Sequence, residues 1–567
     1  MTHESRPAFD PADLRGVNRR QFLRVSGTLS AAAAITAALN ACGGPASTAS
    51  TSAAANTATS AAGSGAAPSG GAAGGAPSGT ISATLAFTLS GDFDPMNASS
   101  AVATAANEHI FEGLVNLDPI TREPYPALAK AAPTASADGL TWTATLRDGA
   151  VFSDGTPVTA DDVAWSFTRA LDPANKALMA GFISFIDSVK AKGTDTVEFT
   201  LKSKFSLFPQ RVAVIKIVPK ALTKDADASK AFGAKPIGTG PYTLTSADAT
   251  AGLAMAANPK YNGQKPPTVA SMTWNTTLED STRVADLESH RVQAIENVPY
   301  INVTQVKAEN FQVDEVQAFN QVFLMFNNSA APFDDKRVRQ ALHYALDKDK
   351  IIKTALQGYG TAAKSYLDPG KKGYQEASTV YGYDPDKAKS LLADAGVTGL
   401  SFELVTTDNA IVKAAAPLII DGWKQVGVNA TLNTAPSSSV YGVAPEGLVA
   451  NDKFRVLAAS GDPSVFGPDV DLLLRWFYYG TTWPTDRARM DPALIKKLAG
   501  YIDDGAKAAD AAQAADWKDA LDLIAEEVPL YPIFHTKIVT GSDPAQLEGF
   551  KGAPTTGLYF LGVKRKA

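Results

Sequence analysis

Apolar and polar residues alternate along Trp142-Thr143-Ala144-Thr145-Leu146 and again along Val197-Glu198-Phe199-Thr200-Leu201. A period of two puts every second side chain on one face, so both segments read as half-buried strands. Asp138-Gly139, Asp148-Gly149 and Asp154-Gly155 supply turn chemistry between short strands. Past this point the period lengthens. Thr159-Ala160-Asp161-Asp162 is a helix N-cap signature, and Val163, Phe167, Ala170 and Leu171 follow on one helical face. A second helix is predicted from Asp334. Asp334 and Asp335 favour its positive end, and Val338, Ala341, Leu342, Ala345 and Leu346 form its apolar stripe. A third has the sharpest ends: Asp384 caps it, Pro385 takes its first turn and Gly396 closes it. Its inward face is Ala388, Leu391, Leu392 and Ala395. Strand patterns such as Phe402-Glu403-Leu404-Val405 alternate with helices in this half, which predicts an α/β layer arrangement.

The N-terminal pattern is of another kind. A polar stretch leads to Asn18-Arg19-Arg20-Gln21-Phe22-Leu23-Arg24, and an alanine-rich apolar run follows from Leu29 to Leu39. The paired arginines resemble a twin-arginine export signal. The run is as long as a signal-peptide core and too short to span a bilayer. Leu39-Asn40-Ala41-Cys42 resembles a lipoprotein cleavage box, in which the Cys42 thiol takes a diacylglyceryl group. Residues 1–42 thus read as a lipoprotein signal. Residues 43–79 hold only Gly, Ala, Ser, Thr, Pro and Asn56. Such a segment buries too little apolar surface to offset its ordering entropy, and it reads as a tether with a reach on the order of 35 Å.

Composition narrows the function classes. The 567 residues suffice for two or three domains with sizeable cores. The chain carries a net charge of −6; residues 1–41 hold five Arg against Glu4, Asp10 and Asp13, so the remainder stands at −8. A mildly acidic body without a basic cluster argues against nucleic-acid binding. Cys42 is the only cysteine, so no internal disulfide can form, and with its thiol taken by lipid no Cys–His pair is expected in the mature protein. His3, His109, His290, His343 and His535 are scattered, without zinc-ligand spacing. No Walker A loop and no Gly-x-Ser-x-Gly elbow occurs. Gly238-Thr239-Gly240-Pro241-Tyr242-Thr243 lacks the third glycine of a dinucleotide motif and reads as a tight turn entering a strand. No enzyme, cofactor or metal site is expected.

Several separated blocks resemble one family, the extracytoplasmic solute-binding proteins of ABC importers in the oligopeptide/dipeptide cluster. These are Glu108-His109-Ile110-Phe111-Glu112-Gly113-Leu114, Pro126-Ala127-Leu128-Ala129, Asp138-Gly139-Leu140-Thr141-Trp142, Leu146-Arg147-Asp148-Gly149 and Phe152-Ser153-Asp154-Gly155-Thr156-Pro157-Val158-Thr159-Ala160-Asp161-Asp162-Val163. They continue with Pro236-Ile237-Gly238-Thr239-Gly240-Pro241-Tyr242, Phe326-Asn327-Asn328, Pro332-Phe333-Asp334-Asp335, Val338-Arg339-Gln340-Ala341, Ala345-Leu346-Asp347, Asp384-Pro385-Asp386-Lys387-Ala388 and Pro529-Leu530-Tyr531. The resemblance implies a two-lobed periplasmic-binding-protein-like α/β fold with two hinge crossings and an extra domain. It implies lobe I at 80–113, 236–320 and 538–567, the extra domain at 114–235, and lobe II at 321–537. It also implies a monomer that closes over a small peptide and docks on a membrane permease with a cytoplasmic ATPase.

For the site, the resemblance points to Ala459-Ser460-Gly461-Asp462. Asp462 would receive a ligand ammonium, and the backbone before it would pair with the peptide as an added strand. Trp476, Tyr478 and Trp483 are candidates for a rigid aromatic cleft wall, with Phe477 as core. Arg475 is a candidate partner for the ligand carboxylate. Asn107 sits where the first-lobe loop of relatives approaches ligand, and Glu108 reads as a packing and capping group. Three other readings stand beside this one: the same fold with a nickel complex, haem, an opine or an oligosaccharide; a surface hydrolase; and a signalling receptor.

Overall fold

The computed structural model describes residues 76–567, apart from 90, 91, 99, 443–446 and 567. The expected export leader, Cys42 and the expected tether as far as residue 75 lie outside the described residues.

An 11-stranded mixed sheet organises the chain into a two-lobed α/β fold. In spatial order ten of its strands are Asn429–Ala435, Ser401–Thr407, Val456–Gly461, Gln312–Phe326, Leu530–Ser542, Ala294–Ile295, Thr80–Leu85, Ser271–Thr276, Gly252–Ala257 and Tyr242–Asp248. The short strand Gly360–Ala362 adds to Leu530–Ser542. Two long antiparallel strands, Gln312–Phe326 and Leu530–Ser542, run through both halves. Their pairing slips at two places. It runs from Gln312↔Ser542 to Gln317↔Lys537 and resumes at Gln321↔His535, then shifts again between Val322↔Phe534 and Phe323↔Pro532. At the first slip the Asn320 amide donates to Thr536 Oγ1 (3.0 Å). Such an irregularity bends a strand pair, and here it separates the strands that join on either side.

Burial explains why the hydrophobic pattern changes along these strands. Val322, Phe323, Leu324, Met325 and Phe326 are all fully buried. A central strand covered on both faces shows a continuous apolar run instead of alternation. A second antiparallel sheet, of Thr134–Ala135, Thr141–Thr145, Thr196–Leu201 and Ile186–Lys192, stands apart from the main one. Its two central strands are the alternating segments read from the sequence. Helix Ala160–Leu171 packs on it, and Thr159 and Asp162 form the reciprocal capping box expected there.

The second predicted helix starts one residue later than expected. Asp335, not Asp334, caps Lys336–Tyr344, because the Asp334 N–H is taken by Ala330 O in the preceding turn. The third runs Pro385–Asp394 with Asp384 as its cap. Gly238-Thr239-Gly240 does enter a strand, Tyr242–Asp248. A Cβ on Gly238 would lie 2.0 Å from Ile110 O, and one on Gly240 would lie 2.4 Å from His109 O. Only glycine allows the turn to sit this close to the end of helix Ala101–Ile110.

Two histidines, His109 and His343, are structural. His109 accepts from Phe560 N (3.0 Å) and donates to Ala105 O (2.8 Å), and burial brings its pKa down to about 4. His343 is fully buried among Phe326, Tyr381 and Tyr531, and neither ring nitrogen has a partner. Burial first, then nearby Lys348, holds its pKa well below the usual value. An unfolded histidine gains a proton near pH 6.5 while His343 stays neutral, so the folded state loses stability as pH falls through that range. His343→Leu should remove this term, worth about 2 kcal/mol by pH 5. The fall in thermal midpoint between pH 7.5 and 5 should then be smaller than in the parent. An identical fall would show that His343 titrates freely in the fold.

Candidate ligand-binding site

The strand Val456–Gly461 carries the expected ligand segment at its end. On one side it pairs with Gln312–Phe326 along its whole length, from Val456↔Phe326 to Gly461↔Gln321. On the other side only Val456, Leu457 and Ala458 find partners, in Leu404, Val405 and Thr406. Ala459, Ser460 and Gly461 therefore present a backbone edge with no strand against it among the described residues. A free edge of this kind is a template for another extended chain. A Cβ on Gly461 would come 3.1 Å from the Phe477 ring and 3.5 Å from Phe323, so the aromatic floor sets the size of this residue.

Asp462 follows and is half-buried. Its Oδ1 accepts from Ser464 N (3.1 Å) and from the Ser464 hydroxyl, capping the short turn Pro463–Val465. Its Oδ2 accepts only long hydrogen bonds, from Thr555 Oγ1 (3.3 Å) and Thr556 Oγ1 (3.4 Å). These threonines belong to the C-terminal segment beyond the long strands, so the strand end at Asp462 meets that segment. Among the described residues no Lys, Arg or His forms an ion pair with it. A half-buried carboxylate with hydroxyl donors and no cation is arranged to receive one.

Beside it lies a cavity of about 40 Å³. Its polar lining is Thr104, Asn107, Glu108, Arg122 and Lys216, and Val465 and Phe466 close it from the Asp462 side. Lys216 donates to Glu108 (2.9 Å) and to Asn116 Oδ1 (3.1 Å). Arg122 Nη2 donates to the carbonyls of Ser464 (2.9 Å) and Val465 (3.3 Å). Thr104 Oγ1 and Asn107 Oδ1 are buried without partners. Asn107 lines this cavity. Glu108 caps no helix end; it is the counter-ion of Lys216.

A second polar group lies where the long strands slip. Gln321 pairs in register with both Gly461 and His535. Gln321, Ser365, Asp368 and His535 are fully buried. Both amide atoms of Gln321, Ser365 Oγ, Asp368 Oδ2 and His535 Nε2 have no hydrogen-bond partner. Burial raises the Asp368 carboxyl above its ordinary range, against the attraction of Lys371. Burial lowers the Lys371 ammonium, against the pull of Asp368 and Asp462. Burial also brings His535 down to about 4. Sequence reasoning missed this group, because its members come from three distant segments and none sits in a motif.

Three expected site residues, Tyr478, Arg475 and Trp476, are placed elsewhere. Tyr478 is fully buried and its hydroxyl donates to Leu530 O (2.8 Å), so it is core of the second half and has no group left for a ligand. Arg475 lies on the same helix, Val470–Tyr478. Its Nε donates to both oxygens of Asp471 (2.9 and 2.8 Å) and its Nη2 to Asp503 (2.6 Å), and its guanidinium sits over Tyr479 at 4.2 Å. The Asp471/Arg475 spacing of four is a helical ion-pair signal that was legible in the chain. Trp476 stacks on Phe182 (5.9 Å between centroids) and packs on Phe466 (5.4 Å), behind the cavity wall and not on it. Trp483 packs edge-on against Phe477 (4.6 Å), the ring beneath Gly461, and Arg487 covers its face at 4.1 Å.

The chain belongs to family 5 of the bacterial extracellular solute-binding proteins, whose middle-region profile matches residues 123–490. Proteins of this family are the extracytoplasmic solute receptors of ABC importers. The chain is 29% identical over 474 residues to the glutathione-binding protein GsiB of Escherichia coli K12, covering 82% of this chain and 91% of that one. Its fold is similar to a dipeptide-binding protein from Pseudoalteromonas sp. SM9913 solved with Met-Leu, at TM-score 0.76 and 20% identity, over 86% of this chain and 100% of that one. It is similar to AgaA from Agrobacterium tumefaciens, solved with agropinic acid, at TM-score 0.75 and 24% identity, over 86% of this chain and 99% of that one. Among the described residues no helix is long and apolar enough to cross a membrane.

Proposed function

We propose that this protein binds short peptides between its two lobes, is held to the membrane through Cys42, and delivers its ligand to an ABC permease. The observation that carries the peptide reading is the unpaired backbone edge of Ala459–Gly461, which ends in the Asp462 carboxylate. An extended ligand laid on that edge would gain main-chain hydrogen bonds from the strand and a charge-assisted bond from Asp462 to its ammonium. Recognition through backbone and terminus leaves the ligand's side chains free to vary. Met-Leu, the ligand of one relative, carries the ammonium and the extended backbone that this arrangement requires, and glutathione, the ligand of another, carries the ammonium but reaches its first peptide bond through a γ-linkage. Thr555 and Thr556 would close on the same carboxylate from the opposite half, which ties ligand capture to lobe closure.

Titration of the purified protein with Met-Leu, glutathione and their N-acetylated forms tests the reading. Binding of a free-amine form, and its loss on acetylation, is the expected result. Equal affinity for the acetylated forms contradicts it, as does failure to bind either peptide.

A further inference from the structure

Building on that reading, we propose that Glu296 is the positioning residue of the ammonium pocket: its buried carboxylate holds the segment Thr555–Gly557, and through it the two threonine hydroxyls that meet Asp462. Glu296 itself is fixed on all sides. Strand Ala294–Ile295, which precedes it, pairs with Thr80–Leu85 on one side and Leu530–Ser542 on the other. Glu296 N donates to Thr84 O (2.9 Å), and Val298 N donates to Val539 O (2.8 Å). Between them Asn297 has φ +50°, a left-handed turn that asparagine tolerates. Arg283 holds the same turn, donating to Glu296 O (3.1 Å) and Asn297 O (3.0 Å). Its guanidinium is thereby committed to backbone and leaves the Glu296 carboxylate to other donors.

Glu296 is buried, and among the described residues it forms no ion pair. Its Oε2 accepts from Ala86 N (3.0 Å), just past strand Thr80–Leu85, and its Oε1 accepts from Gly557 N (2.9 Å). A buried carboxylate without a cation is costly, so a fold that keeps one uses its hydrogen bonds. The second of these bonds reaches the residue next to Thr556. Gly557 has φ +107°, and a Cβ there would lie 2.7 Å from Ala105 Cβ, so its backbone is pressed against helix Ala101–Ile110. The Tyr559 hydroxyl donates to Thr556 O (3.0 Å), and Phe560 N donates to His109 Nε2 (3.0 Å). The segment is thus held at every residue, and the Gly557 N–H depends on Glu296 for its acceptor. What it presents is the pair of hydroxyls 3.3 and 3.4 Å from Asp462 Oδ2. A hydroxyl that donates to Asp462 keeps lone pairs that can accept from an ammonium. Asp462, Thr555 and Thr556 then offer one acceptor to each ammonium N–H. The threonines contribute only while their backbone is held in place, and Glu296 holds it.

Calorimetric titration of the full protein with Met-Leu and with N-acetyl-Met-Leu tests the assignment. Glu296→Ala should weaken Met-Leu about 10-fold and leave N-acetyl-Met-Leu within about 2-fold of the parent. The double variant Thr555→Val with Thr556→Val should behave the same way. Adding Glu296→Ala to that pair should cost no further affinity, because Glu296 acts through those hydroxyls alone. Glu296→Gln keeps the volume and one acceptor oxygen, so its loss should fall between the parent and Glu296→Ala, and it carries the same comparison if the Ala variant fails to fold. Equal weakening of both ligands, a full further loss in the triple variant, or undiminished Met-Leu binding by the folded Glu296 variants overturns the assignment and leaves the peptide reading intact. A parent that binds N-acetyl-Met-Leu as well as Met-Leu, or binds neither, overturns both.

Discussion

Asp462→Ala should weaken binding of a free-amine peptide by more than 100-fold. Removing one member of a desolvated, hydrogen-bonded charge pair costs about 2–5 kcal/mol, much of it from the partner left buried without a counter-charge. The ligand ammonium would meet only the Thr555 and Thr556 hydroxyls, which cannot neutralise it. The same substitution removes the acceptor for Ser464 N, a cap worth about 1 kcal/mol. Affinity should therefore fall steeply while stability falls little. The N-acetylated peptide, which has no ammonium to lose, should show the same affinity for the parent and for Asp462→Ala. Calorimetric titration of both ligands against both proteins gives this directly. A variant that binds the free-amine peptide as well as the parent would remove Asp462 from the site.

The largest expected loss of stability comes from Arg211. It lies on the short helix Phe208–Val212 and is fully buried. Its Nη1 donates to Phe182 O (2.9 Å), and its Nη2 donates to Asp469 (2.6 Å) and Asp471 (2.7 Å) at the start of helix Val470–Tyr478. Burial pushes the Asp471 carboxyl up, but Arg475 and Arg211 outweigh it and hold the group below the ordinary carboxylate range. Arg211→Met would keep the volume and delete the charge, leaving Asp469 without its cation, with only the Leu472 N–H on Oδ1, and Asp471 with Arg475 alone. Loss of one partner from a buried ion pair typically costs about 3–5 kcal/mol, and urea unfolding should show a drop of that size. A change under about 1 kcal/mol would mean that the contact behaves as an exposed surface pair. Because this contact joins helix Phe208–Val212 to the helix that follows Asp462, the variant should also weaken peptide binding.

What could be read from the chain follows from how local each signal is. The capping box at Thr159, the cap at Asp384, and the strands around Trp142 and Phe199 depend on residues within a few positions of each other. Each of these elements is present. The paired glycines Gly238 and Gly240 were legible as a turn, but the reason for them was not. They are fixed by the backbone of helix Ala101–Ile110, more than 120 residues earlier in sequence. The site was legible only where it is contiguous. Ala459 to Asp462 form one strand end and could be named. Gln321 and His535 come together only because two long strands cross between the halves. The aromatic run after Arg475 misled for the opposite reason. On a helix its consecutive residues point in different directions, so Tyr478 went to the core, Arg475 to an ion pair with Asp471, and Trp476 to the back of the cavity wall.

Native mass spectrometry of the protein purified without denaturation tests the central claim most directly. The account predicts a ligand-bound population with a heterogeneous increment of a few hundred daltons, which fragments to peptides with free termini and disappears after unfolding and refolding. A single discrete increment from a sugar, haem or metal complex would contradict it, and so would a peptide released in hydrolysed form.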